Sequence, residues 1–389
     1  MWVATGAVTA YCAKKVRDDL DQSKIPLMGV LGAFIFAAQM LNFTIPGTGS
    51  SGHLGGGLIL AILLGPYAAF LVMASVLTVQ ALFFADGGLL ALGCNIFNLG
   101  FFPAFIAYPL VYKKIVGYSH SRGRIFAGSL AGAIVGLQLG ALAVVLETTA
   151  SGISDLPFNT FVWMMQPIHL AIGVVEGLVT AAVVLFVRST RPEILERAAT
   201  GRSLGGVRLK PVLICLAIAA VVCGGALSWF ASSNADGLEW SIAKVTGRGE
   251  VDAGSAAHTS AASVQKNAAI PPDYGFKQTK PAVNGTAKPA GDTAATESAS
   301  QDWPAVSAGT SVAGLVGAGL TLMIAVLLGF ALSRRSSKIA GNGVQPGLRR
   351  RPNAAASRLE FDTRFHLVLE DLDRVDLHAE QAPDARLGG

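Results

Sequence analysis

Long apolar runs, nearly free of charge, recur along this chain from its first residues to about position 333, and they limit what it can fold into. The runs fall at 3–16, 25–42, 54–65, 66–84, 94–116, 124–147, 160–188, 211–231 and 308–333. A membrane-crossing helix needs about 20 apolar residues, and most of these runs approach or exceed that length. Charged residues make up 14% of the 389 positions, against about 25% in a soluble domain. The reading is all-α: a polytopic transmembrane helix bundle, with about seven helices in a main unit and about two in a C-terminal unit.

The third run is short, and Gly65-Pro66 separates it from the fourth, because proline resists a helix interior. It either crosses the membrane or re-enters on one side. Basic residues decide, since Lys and Arg collect in cytoplasmic loops. If the third run crosses and the N-terminus lies outside, 24 of the 30 Lys and Arg fall on the cytoplasmic side, including the stretch from Arg188 to Lys210 and the tail. The other six lie in one long outer loop, 232–307. This orientation leaves the short loops around His53, Asp86 and 148–159 outside and without a basic residue, an arrangement suited to a cation. The basic net charge of +5 then marks membrane orientation, with no nucleic-acid partner implied.

Small residues recur at helix-packing spacing. Gly128, Gly132, Gly136 and Gly140 form a ladder on one face, which permits close helix contact in lipid. Gly29, Ala33 and Ala37 make a similar strip that could pack internally or meet a partner. The four cysteines form no CxxC pair and read as small core residues. Residues 277–300 read as a flexible linker, and 364–380 as a short amphipathic helix whose His366 and His378 are solvated.

No Walker A loop, HExxH, GxSxG or paired CxxC occurs, so the chain carries no ATPase cradle of its own. Polar residues inside the apolar runs are few, and they include Asn95, Asn98, Gln138, Glu147, Gln166, His169 and Glu176. An ionisable group within a membrane helix is costly and a candidate for function. His169 and Glu176 share one face of their helix. His53 stands apart in "FTIPGTGSSGHLGGG", either as an ordinary loop residue or as a metal ligand. On these residues the chain reads as a membrane carrier of a small cation or solute.

The run 42–100, from "NFTIPGTGSSGHLGGG" to "GCNIFNLG", closely resembles the substrate-binding membrane component of cobalt/nickel energy-coupling factor transporters, the CbiM/NikM family. "PIHLAIGVVEGLVTA" at 167–181 is similar to it too, and "NADGLEWS" at 234–241 resembles the PDGLE domain fused behind such components. The resemblance implies domains at 1–205 (metal-binding) and 206–335 (PDGLE-like), followed by a cytoplasmic tail at 336–389. It implies uptake of Ni2+ or Co2+, the latter serving cobalamin biosynthesis, across a bacterial inner or plasma membrane. The transported ion would be the only metal, with no covalently bound cofactor. A transmembrane coupling subunit and separate cytoplasmic ATPase subunits would drive release, so the chain itself would not be an enzyme. His53 matches the family's ligand histidine, with Asn95, Asn98, His169 and Glu176 as supporting or pathway residues and the glycines folding the loop around the ion. Family members begin Met-His-Ile-Pro-Asp-Gly, whereas this sequence begins Met1-Trp2-Val3 inside its first helix, so an upstream start supplying Met-His is expected. A competing reading makes His169 and Glu176 the acid–base pair of an intramembrane enzyme.

Overall fold

Apolar sequence can satisfy its backbone in lipid only through internal hydrogen bonds, and the computed structural model of the chain is built almost wholly of helices. It describes residues 1–19, 21–117, 121–152, 156–247, 255–270, 274 and 304–341. The expected linker at 277–300 and the amphipathic tail with His366 and His378 lie outside these residues. Those up to Lys338 group as one unit, while the second unit, Ile339–Gly389, lies almost entirely outside the described residues.

Helices α1 (Trp2–Asp19) and α2 (Ile25–Gln39) meet at a 119° bend. Asp21 holds the corner by accepting from Ser23 N at 3.1 Å and from Leu204 N at 2.5 Å. Burial alone would raise its carboxyl pKa; bonds from Ser23, Ser203 and Leu204 outweigh that and hold it below the ordinary carboxylate value.

After α2 a two-residue hairpin pairs β1 (Phe43–Thr44) with β2 (Ser51–Gly52), antiparallel. Then comes α3 (Gly57–Leu64), fully buried and bounded by Gly56 and Gly65 at φ +78° and +85°, which favour glycine. Eight residues at 1.5 Å each cover only about 12 Å, so the third apolar run is a half-length helix preceded by a loop.

Next follow α4 (Pro66–Phe84), α5 (Leu92–Val116), α6 (Arg122–Ser151) and α7 (Phe158–Thr190). With α12 (Ala308–Gly341, apolar to Ser333), these are the five described helices long and apolar enough to cross a membrane; the bent α1–α2 pair makes six if counted as one span. Within α5, Phe97–Tyr112 winds in wide π turns that contain Pro103 and Pro109. Proline has no N–H to give to a regular helical ladder, which fits the altered winding. Between α7 and α12 lie α8 (Pro192–Thr200), α9 (Lys210–Gly225), α10 (Gly237–Thr246) and α11 (Ala256–Ala268). The hydropathy pattern did not anticipate α8, α10 or α11, which are short and mixed in polarity.

The glycine ladder of α6 packs on α5, with Gly128 beside Val116 and Tyr112, Gly136 beside Pro103 and Ala107, and Gly140 beside Asn98. Closer still are Gly173 and Gly177 of α7, where a Cβ would lie 2.9 Å from Ile134 Cα and 2.6 Å from Leu130 Cα. The α2 strip packs internally: Gly29 receives Val326 and Leu322 of α12, and Ala33 and Ala37 are buried. On α7, Leu170, Val174 and Leu178 form an exposed apolar stripe, while Ile172, Glu176 and Thr180 face inward. This inside-out pattern suits a helix with lipid on one side. All four cysteines are free, and of them only Cys12 is a buried core residue. Cys215 is exposed beside Ile214 and Ile218 on the apolar outer surface of α9.

Candidate functional site

His53 sits on the loop from β2 to α3, and its surroundings explain the local glycines. A side chain at Gly52 would overlap Ile172 of α7, and one at Gly57 would overlap the Leu99 carbonyl of α5. The glycines therefore let the loop be pressed between α5 and α7. They serve packing against protein.

Two buried side chains clamp this loop. Gly55 N donates to Glu176 Oε2 at 2.7 Å, and Gln39 Nε2 donates to Gly55 O at 2.9 Å. Gln39 is held in turn by Gln80, whose Nε2 donates to Gln39 Oε1 at 2.9 Å. Glu176 is only 1% exposed, and Gly56 N–H also reaches it. The carboxylate thus takes the place of water for peptide groups that burial would otherwise leave unpaired.

The imidazoles are oriented by local bonds. His53 Nδ1 lies 2.9 Å from Leu54 O, and His169 Nδ1 lies 2.9 Å from Met165 O. A carbonyl only accepts, so each Nδ1 carries a proton, and the tautomer this selects leaves the lone pair on Nε2. Both residues line one cavity of about 660 Å³. The same walls carry Asn95, Asn98, Cys94 and Glu147.

Residues from the α9–α12 region form a further part of the cavity wall. Ser51 N donates to Ala235 O at 2.8 Å, and Ser232 N donates to Asn42 O at 2.8 Å. Asp236 caps α10 by accepting from Glu239 N at 2.8 Å. Gly237 packs against the His169 ring, and Gln265 of α11 donates to Ala81 O and Gly87 O at 2.9 and 2.7 Å. Asp236 and His258 thereby join the lining.

Of the residues picked from sequence, His53, Asn95, Asn98 and His169 come together around the cavity, whereas Glu176 lies behind the loop and is not part of its lining. Sequence reasoning read Cys94 as a small core residue, noted Glu147 only among the polar residues of the apolar runs, and passed over Asp236 and His258. The four-residue spacing of Cys94 and Asn98 was an available signal for the first; Asp236 and His258 lie in a polar segment with no helical pattern to aim them. The lining holds two carboxylates and no Lys or Arg, so it favours a cation. Among the described residues no three of His, Cys, Asp or Glu converge as a ready-made metal cage.

Comparison with known proteins bears on this arrangement directly. Residues 1–194 match the family model CbiM, "Cobalt uptake substrate-specific transmembrane region", and 210–334 match the PDGLE domain. A cobalt transport protein CbiM from Sorangium cellulosum is 31% identical over 198 residues, covering 50% of this chain and 84% of that protein. The chain belongs to the CbiM family. A sequence from Archaeoglobus fulgidus named for a fused nickel transport protein NikMN is 39% identical over 202 residues, or 52% of this chain; the match spans 65% of the relative's length. A fused nickel transport protein NikMN from Rhodobacter capsulatus is 33% identical over 195 residues, with 47% and 56% covered. Among solved structures, the crystal structure of a truncated transition metal transporter is 31% identical and covers 49% of this chain and 92% of its own, with a TM-score of 0.43. Like the NikMN relatives by name, this CbiM-family chain is a fusion, carrying a PDGLE region behind the transport region.

Proposed function

We propose that this chain captures Ni2+ or Co2+ as the substrate-binding membrane component of an ATP-driven importer. The observation that carries the reading is the imidazole of His53, its Nδ1 held by the Leu54 carbonyl, on the wall of a cavity that also holds the imidazoles of His169 and His258 and two carboxylates but no Lys or Arg. Imidazole nitrogen suits both ions. His53 is the ligand; His169, Asn95 and Asn98 orient the ion or its water from the same cavity, and Glu176 fixes the backbone that carries His53. The chain divides into a metal-binding domain at 1–205, a PDGLE-like domain at 206–335 and a cytoplasmic tail at 336–389. The cavity opens to the outside of a bacterial plasma membrane. A transmembrane coupling subunit and cytoplasmic ATPase subunits complete the importer, since the sequence lacks a phosphate-binding loop.

The competing acid–base reading needs His169 and Glu176 in one reaction space. His169 faces the cavity, while Glu176 is spent on the peptide groups of Gly55 and Gly56. That geometry favours transport over catalysis.

His53→Ala is expected to abolish high-affinity binding of Ni2+ and Co2+ by the purified chain and to stop uptake in cells that express the full transporter. Unchanged affinity for both ions would sink the assignment of His53.

A further inference from the structure

One wall of the cavity pairs Asn98 with a carboxyl group, Glu147, to which the His53 site gives no role. Asn98 of α5 and Glu147 of α6 both line the cavity, and Asn98 Nδ2 donates to Glu147 Oε2 at 3.0 Å. A carboxylate accepts and does not donate, so the amide nitrogen has to face Glu147 and the amide oxygen has to face elsewhere. That oxygen, Asn98 Oδ1, has no hydrogen-bond partner although the residue is only 5% exposed. Buried acceptors are rarely left unsatisfied, and such an exception asks for an explanation. Cys94, one turn before Asn98, also lines the cavity and hydrogen-bonds Glu147. No basic side chain among the described residues forms an ion pair with Glu147.

A carboxyl group in no ion pair among the described residues, next to an orphaned amide oxygen, suits a ligand with positive charge and hydrogen-bond donors of its own. A hydrated divalent metal ion has both, because its charge answers Glu147 and its water can donate to Asn98 Oδ1. The sulfur of Cys94, once its proton is released to solvent as the ion binds, adds a softer ligand atom that favours a transition metal over Mg2+ or Ca2+.

We propose that Glu147, Asn98 and Cys94 form a second cation subsite in this cavity, which holds Ni2+ or Co2+ with part of its water shell before the ion reaches His53. The inference rests on reading the cavity as the place of metal capture. Since no three of His, Cys, Asp or Glu converge among the described residues, water completes the coordination, and the subsite binds more weakly than His53.

The test is a Co2+ titration of the purified full chain, followed by calorimetry and by the absorption spectrum of the bound ion. His53→Ala should leave one weak Co2+ site. Adding Glu147→Gln should weaken it about tenfold, the scale of losing one charge-assisted contact. Equal residual affinity in the single and double variants overturns the subsite, and so does the absence of residual binding in His53→Ala. The reading of His53 itself is judged separately, by the high-affinity titre of the single variant. Glu147→Gln keeps an oxygen to accept from Asn98; if the double variant is not recovered folded, Asn98→Ala in the His53→Ala background is read by the same outcomes.

Discussion

Glu176 shows how a buried carboxyl group can hold a loop from behind. Its carboxylate meets the peptide groups of Gly55 and Gly56, two and three residues beyond His53. Removing it leaves donors buried without an acceptor, at a cost of roughly 1–3 kcal/mol each. Glu176→Ala is therefore expected to lower the thermal midpoint in detergent and to weaken metal binding together. Glu176→Gln, which keeps one accepting oxygen, should retain more of both. A Glu176→Ala protein with unaltered melting and affinity would show that the loop is held by other means. The residue was legible in the sequence as an ionisable group in a membrane helix, but its role was not. Seven-residue spacing aligned it with His169, while the chain that it grips arrives from more than a hundred residues away.

At the level of helices, glycine pattern and glycine consequence part company. The ladder Gly128 to Gly140 is conspicuous in the sequence, yet Gly136 has only ordinary contacts, with Ala107 Cβ at 3.4 Å and Pro103 Cα at 3.5 Å from a built Cβ. Gly177 stands 2.6 Å from backbone by the same measure, and backbone cannot rotate away. Gly177→Ala should thus force α6 and α7 apart and cost about 1–3 kcal/mol. Gly136→Ala should be neutral, or stabilising by up to about 1 kcal/mol through helix propensity. Comparing the two variants by thermal unfolding checks this; equal effects would mean that the α6–α7 contact yields without strain. The ladder was readable because period four appears in one segment, whereas the tightness of a crossing depends on what the facing helix presents.

For the molecule as a whole, the distribution of Lys and Arg predicts which side of the membrane each loop occupies. Cysteines placed at positions 285 and 345, in a background lacking the four native ones, should differ in labelling by an impermeant reagent applied to whole cells. Position 285 is expected to react and position 345 to stay protected. The reverse result would invert the orientation on which the direction of metal capture rests.

The sequence by itself determined that the chain is a helical membrane protein, where most of its helices run, and that His53 is the histidine to examine. These follow from local causes: apolar length, charge placement and a dense motif read within one window. Only the tertiary structure decided that α3 is a buried half-helix, that Glu176 stands behind the loop, and that Cys94, Glu147, Asp236 and His258 face the same space as His53. Those facts depend on side chains meeting across helices far apart in the chain, and no single stretch of sequence encodes its partner's surface.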